Sequence, residues 1–146
     1  MKIVTSIDTR RIRDPLLIAA LARGFLRGVV AVNRIYMWMF RLPRLYEAGI
    51  QFRPEPWQRR GLEEFADCLT VLRRGWGDCD DLAPFLCAEL QEYEGDENAD
   101  LRLYWRKDKR GRPRLFHVQV RHGDGYIEDP SRYLGMAGAP RTRRRH

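Results

Sequence analysis

At 146 residues the chain suits one compact domain with room for a real core. A content of 44% hydrophobic and 32% charged residues excludes a disordered or low-complexity protein. The net charge of +7 would admit an acidic partner such as nucleic acid, but the cationic excess is nearly all arginine, with lysine only at Lys2, Lys107 and Lys109. That skew fits the coding bias of a GC-rich genome as well as it fits a binding surface, so charge alone selects no partner.

Residues 2–7, KIVTSI, read as a short strand or an arm. This apolar opening is too short for a signal peptide and runs into Arg10, Arg11 and Arg13. Asp14-Pro15 is a helix start, an N-cap acceptor followed by proline at the first helical position. From Leu16 to about Phe40 the chain is strongly apolar, and Arg23, Arg27, Arg34 and Arg41 recur at spacings of four and seven. These features predict a long amphipathic helix with an arginine ridge. No uncharged stretch approaches the ~20 residues a bilayer needs, so no membrane span is expected. Gly24 and Gly28 form a GxxxG, read as close packing or mild helix weakening ahead of a dimer motif. Pro43 ends the helix, and LYEAGIQFRPEPWQ reads as loop.

Leu62, Phe65, Ala66, Leu69 and Leu72 predict a second helix over residues 60–73, with Cys68 buried inside it. Gly-Trp-Gly breaks that pattern. Leu82, Phe85, Leu86, Leu90 and Tyr93 then mark the apolar face of a third helix, stopped by Gly95, and Pro84 should kink it. GDENAD is a polar loop. LRLYWRK, LFHVQVRH and YIEDP alternate as three short antiparallel strands, joined through DKRGRPR and a tight HGDG turn. After Gly135 comes a basic tail, MAGAPRTRRRH, read as solvated ahead of a nucleic-acid or partner contact. The fold class expected is α+β, with N-terminal helices packed on a small antiparallel sheet.

Three cysteines, Cys68, Cys79 and Cys87, with no CxxC pair, predict reduced thiols in a cytoplasm-like compartment. A three-cysteine metal site with His117 or His122 fits no common zinc spacing. Cys79 stands apart because it sits at the edge of an apolar run, in RGWGDCDDLAPF. Asp78 can cap the helix, and Asp81 at the third helical position completes a capping-box-like pair. Cys79 then lies in the first turn, where unpaired N–H groups and the helix dipole favour the thiolate. The same N–H groups can donate to an oxyanion. Three nearby carboxylates oppose the thiolate, so Cys79 needs a cationic partner.

His117 is the candidate partner. It shares the more polar, accessible strand face with Gln119 and Arg121, while Phe116, Val118 and Val120 share the other; His122 has the valines' parity and ranks well behind. Asp129, on the next strand, is the natural group to orient the imidazole. A three-residue loop Gly123-Asp124-Gly125, with Gly125 left-handed, puts His117 and Asp129 on one face as diagonal neighbours. A two-residue loop would instead pair Val120 with Ile127 and send Asp129 to the opposite face. The first register, or a bulge that restores it, is preferred.

GDCDDLA, then FHVQV, then IEDPSRYLGM resembles the transglutaminase-like superfamily of cysteine enzymes, which shares the papain-like arrangement. The likeness is closest to small transglutaminase-like proteins encoded by tailed bacteriophages and prophages. Those pair a GDC(E/D)DLA…AEL helix start with a later HVxV strand and a DPS segment, and LYEAGIQFRPEPW and ADCLTVLRRGWGDC resemble their lead-in. The likeness divides the chain into an arm and long helix (1–43), a transglutaminase-like core (44–136) and a basic tail (137–146). It implies Cys79 as nucleophile, His117 as general base and acid, and Asp129 as orienting carboxylate. The reaction would be acyl transfer from a protein or peptide substrate to water or an amine. Trp57 and Trp76 are candidates for the second oxyanion donor, and nothing resembling a calcium loop implies a metal or other cofactor. The setting implied is the cytoplasm of a bacterial host or a phage particle. Two other readings compete: a non-catalytic virion or assembly component docking through the arginine-ridged helix, and a nucleic-acid-binding module.

Overall fold

The computed structural model describes residues 4–8, 14–54, 62–107 and 113–136. Helix α1 (Pro15–Phe40) starts as its sequence dictates: the Asp14 side chain accepts the Leu16 N–H at 2.9 Å, and Pro15 fills the first helical position. It ends on Arg41 in a left-handed conformation, ahead of Pro43. Ala22, Leu26, Val30, Asn33 and Met37 recur at helical spacing and form its buried stripe. The arginine ridge runs along the stripe's border and is tied to the rest of the chain, Arg27 to Asp100 at 3.0 Å, and Arg34 to Glu92 at 3.2 Å and Glu97 at 3.1 Å. By length and composition α1 is apolar enough to cross a membrane, and only 22% of its most apolar window is buried. Its buried stripe packs on the helix that begins at Cys79, and the ion pairs of Arg27 and Arg34 lie beside that contact.

Beyond α1 the chain is less of a loop than its sequence suggests. Leu45–Glu47 form a 3-10 turn, and β2 (Gln51–Phe52) follows. The helix expected over 60–73 is not formed as such. Residues Leu62–Ala66 are a strand, β3, paired antiparallel with β1 (Val4–Asp8), and only then does α2 (Cys68–Arg74) begin. Asp67 sets that boundary by capping the helix, its side chain accepting the Thr70 N–H at 2.8 Å. The strand exists because β1 supplies a pairing edge from far away in sequence, which local apolar spacing does not encode. Cys68 is buried at the start of α2, where Asn33 accepts its backbone N–H at 2.7 Å. Residues 55–61 lie outside the described residues, Trp57 with them.

Gly75 closes α2 with a left-handed turn, and β4 (Trp76–Gly77) runs parallel to β2. Helix α3 (Cys79–Tyr93) is the centre of the molecule, with every residue from Asp80 to Leu90 buried. It packs against α1 on one side and the C-terminal sheet on another, and it runs through Pro84 as one uninterrupted helix. Its buried Glu89 is matched by the Leu45 N–H at 2.8 Å and the Arg44 guanidinium at 3.3 Å. Past Tyr93, Gly95 at φ +70° turns the chain, and the Asp96 N–H returns to the Leu90 carbonyl.

The three C-terminal strands form one antiparallel sheet in the order β5 (Asp100–Lys107), β6 (Pro113–Arg121), β7 (Ile127–Glu128). Leu101, Val118 and Val120 join the core contributed by α1 and α3. A short helix, α4 (Pro130–Tyr133), ends the described chain. The described chain is thus α+β, with small sheets around a buried central helix. The linker at 108–112 and the basic tail expected after residue 136 lie outside the described residues.

Candidate active site

Cys79 occupies the first turn of α3, as its motif predicts. Asp78 caps the helix in a capping box with Asp81, whose carboxylate lies 3.3 Å from the Asp78 N–H. Gly77 lies close against α3 just before this turn. A Cβ there would meet Leu82 Cδ2 at 3.0 Å and Asp81 Cβ at 3.1 Å, so a larger residue would press on the first turns of the helix. The thiol is partly exposed, whereas Cys68 and Cys87 are buried. Burial pushes both of those thiols up to about 12. Cys79 therefore differs from the other two cysteines by access as well as by position.

The carboxylates around Cys79 are a buried cluster. Acceptor oxygens of Asp78, Asp80 and Asp81 lie within 4.8 Å of one another. Asp81 takes the Ala66 N–H at 2.8 Å on one oxygen and the Arg74 guanidinium on the other. Arg74 in turn stacks over the Trp76 ring, 3.8 Å from its centroid, and donates to the Trp76 carbonyl. Burial pushes Asp80 well above the ordinary carboxylate range, and the Asp78, Asp81 and Cys79 neighbours add to it. Both burial and these neighbours favour the protonated form of Asp80, which lessens the negative charge the trio sets against the thiolate. Counted from the sequence, all three oppose the thiolate; burial removes part of that opposition. The three carboxyl groups lie close enough to share one cation, and the Arg74 guanidinium beside Asp81 supplies part of the opposing charge.

His117 and Asp129 are brought into direct contact, with Nε2 2.7 Å from Oδ2. The hairpin register does this. Gly125 is left-handed at φ +91°, the His122 N–H donates to the Tyr126 carbonyl at 2.8 Å, and Val120 pairs with Glu128. This is the three-residue loop; the alternative Val120–Ile127 pairing does not form. Asp129 sits one residue past β7 rather than within it, as the N-cap of α4, and accepts the Arg132 N–H at 3.2 Å. Gln119 Nε2 donates to it at 3.1 Å, and the Arg132 guanidinium lies 3.3 Å away. Burial alone would raise the Asp129 carboxyl, but the hydrogen bond and charge of His117, with the Gln119 and Arg132 donors, hold it below its usual range. It is therefore ionised and accepts from Nε2–H, which leaves Nδ1 as the imidazole's basic atom.

The face that carries His117 is less open than its polarity suggests. His117 is 4% exposed, with the Tyr104 ring edge-on at 5.3 Å and Gln119 buried beside it. Its neighbours Val118 and Val120 take the opposite parity into the core. Cys79 is positioned by a separate route, on the helix that packs against β6 and α4. Trp76, one of the two candidate oxyanion donors, has its ring under Arg74; Trp57 lies outside the described residues.

Two features are not legible in the sequence. His122 Nε2 lies 2.6 Å from the buried Glu128, which also accepts the Tyr46 hydroxyl at 2.8 Å, so the lower-ranked histidine has a structural partner. Arg74 is the guanidinium beside Asp81; the two lie on different helices, since α2 ends at Gly75 between them, so the turn and not a shared helix face brings them together. Compared with protein-family models, curated proteins and solved structures, the chain matches none.

Proposed function

We propose that the protein is a cysteine-dependent acyl-transfer enzyme acting on a protein or peptide through Cys79, His117 and Asp129. The observation that supports this most is the buried His117–Asp129 pair, in a chain that also sets a partly exposed cysteine at the N-terminus of its central helix. A carboxylate fixed on Nε2 orients the ring, sets its tautomer and stabilises the imidazolium once formed.

The chemistry runs as two acyl transfers. Nδ1 of His117 takes the Cys79 thiol proton, and the thiolate attacks the substrate carbonyl carbon. The oxyanion that forms is stabilised by the α3 N-terminus, beginning with the Cys79 N–H. Collapse breaks the carbon–nitrogen bond, and the imidazolium returns its proton to the departing amine. The thioester then passes its acyl group to water or to an amine, with His117 again accepting the proton and giving it back to the thiol. Transglutaminase-like architecture and a phage or prophage setting belong to this same reading and rest on the motif resemblance.

For this to operate, Cys79 Sγ must meet Nδ1, and thiol reactivity reads that encounter directly. Limiting iodoacetamide with site-resolved mass spectrometry, across pH, compares wild type with His117→Ala and Asp129→Asn. Cys79 should label far faster than Cys68 and Cys87 and keep reacting below pH ~7, where an ordinary thiol of pKa ~8.5 is mostly protonated. His117→Ala should abolish the low-pH reactivity, and Asp129→Asn should weaken it. If Cys79 follows an ordinary thiol profile unchanged in both variants, the catalytic reading fails.

A further inference from the structure

The sheet face that carries His117 holds more than the pair with Asp129. Successive side chains of a strand point to opposite faces, so His117 and Gln119 of β6 share one face, as do Arg102 and Tyr104 of β5. The register sets Tyr104 opposite His117 and Arg102 opposite Gln119, in one block of four. Arg102 Nη1 donates to Gln119 Oε1 at 3.1 Å. The same guanidinium lies 5.7 Å from the centre of the Tyr104 ring, which meets the imidazole edge-on. Asp129 joins the block from beyond β7, taking His117 Nε2 and Gln119 Nε2 on the same oxygen, Oδ2.

The Gln119 amide has one orientation that satisfies both neighbours. A guanidinium can only donate, and an ionised carboxylate can only accept. Arg102 therefore requires the amide oxygen on its side, and Asp129 requires the amide nitrogen on the other. A flipped amide would set nitrogen against guanidinium and oxygen against carboxylate. An exposed arginine thus fixes which end of a buried amide faces Asp129. The Asp129 carboxylate depends on that end. Its Oδ1 takes the Arg132 backbone N–H at 3.2 Å, whereas Arg132 Nε, 3.3 Å from Oδ2, makes no hydrogen bond there. Among the described residues Gln119 is the one side chain other than His117 that hydrogen-bonds Asp129.

A donor held on Oδ2 has two consequences. Each carboxylate oxygen then has its own fixed donor, so the group does not turn away from Nε2. The donor also favours the ionised form, so an imidazolium formed during acyl transfer keeps its Nε2 proton rather than passing it to Asp129. We propose that Gln119 is a positioning residue for His117, acting through Asp129, and that Arg102 sets the orientation of its amide. This role rests on the catalytic reading of Cys79, His117 and Asp129.

Proton-detected ¹⁵N spectra of the full chain, recorded above the ordinary histidine pKa of ~6.5, read the His117 tautomer directly. The His117→Ala spectrum assigns the signal. Wild type should carry its proton on Nε2, as a slowly exchanging, downfield resonance. Gln119→Leu removes the donor at similar volume and should lose that resonance while helix content by circular dichroism holds. Arg102→Glu, at an exposed position, reverses the demand on the amide, because a carboxylate accepts where the guanidinium donated. It should turn the amide round and lose the resonance too. Arg102→Lys still donates and should keep it, a contrast that damage to the fold does not produce. A resonance unchanged in Gln119→Leu overturns the positioning role. A resonance unchanged in Arg102→Glu, or lost equally in Arg102→Lys, overturns the part given to Arg102. Should Gln119→Leu not fold, the two Arg102 variants decide. Cys79 alkylation at pH ~6 separates this role from the reading beneath it. Gln119→Leu should slow it by ~10-fold or more, the loss of one hydrogen bond to a charged group. A wild type with an ordinary thiol profile fails the catalytic reading and takes the role with it. A reactive wild type matched by Gln119→Leu fails the positioning role alone.

Discussion

Replacing Asp80 with asparagine should make the folded protein more stable at neutral pH, an unusual outcome for a fully buried polar residue. Asp80 is 1% exposed, and one of its oxygens has no hydrogen-bond partner among the described residues. The Arg74 guanidinium pairs with Asp81 of the clustered three. Burial first, then Asp78, Asp81 and Cys79, raise the Asp80 carboxyl well above its usual range. In the unfolded chain it ionises near pH ~3.9. The sign follows from proton counting. Below that pH both states hold the proton; above it only the folded state does, so raising the pH favours unfolding until the folded group also ionises. The lost stability accumulates at on the order of 1 kcal/mol per pH unit across that window. The asparagine side chain does not titrate, and its amide N–H can still donate to Asp78. Urea unfolding of wild type and Asp80→Asn at several pH values between ~4.5 and ~7.5 gives the difference in free energy, from which the titrations of groups remote from the cluster cancel. That difference should move steadily in favour of the asparagine variant as pH rises. A difference constant with pH would refute the reasoning, since Asp80 would then ionise as readily folded as unfolded. Loss of stability in the variant that grows with pH would show that the site needs the charged carboxylate.

Three further outcomes follow from other parts of the structure. Arg74→Leu removes the guanidinium from the buried Asp81 carboxylate and should cost about 3–5 kcal/mol in urea unfolding, the range for breaking a buried ion pair. Gly125→Ala forces a side chain into the left-handed hairpin position and should cost about 1 kcal/mol. It should also slow Cys79 alkylation if the hairpin register is what holds Asp129 on His117. Cys68 and Cys87, with thiols pushed up to about 12, should resist alkylation at pH ~8 in the folded protein and react once urea unfolds it. Labelling of either in the native state would contradict their burial.

Local chemistry was enough to write down much of this molecule from its residues. Asp14-Pro15 starts a helix because a side-chain acceptor and a fixed φ do so wherever they occur. Asp78 and Asp81 form a capping box, and so put Cys79 in a first helical turn, by reach along three residues. The Gly123-Asp124-Gly125 loop fixes a register, and the register determines that His117 and Asp129 share a face. Each of these is decided within about a dozen residues. Tertiary structure decided what depends on distant partners. Residues 62–66 became a strand because β1 offered an edge, against their own helical spacing. The His117 face closed although its alternation looked half-exposed. Arg74 reached Asp81 only because Gly75 turned the chain back. The Asp80 carboxyl is pushed up because α3 lies in the centre of the fold, and burial is a property of what surrounds a residue rather than of the residue itself. Apolar residues run around much of α1, and only the packed core decided that Ala22, Leu26, Val30 and Met37 would form its buried stripe.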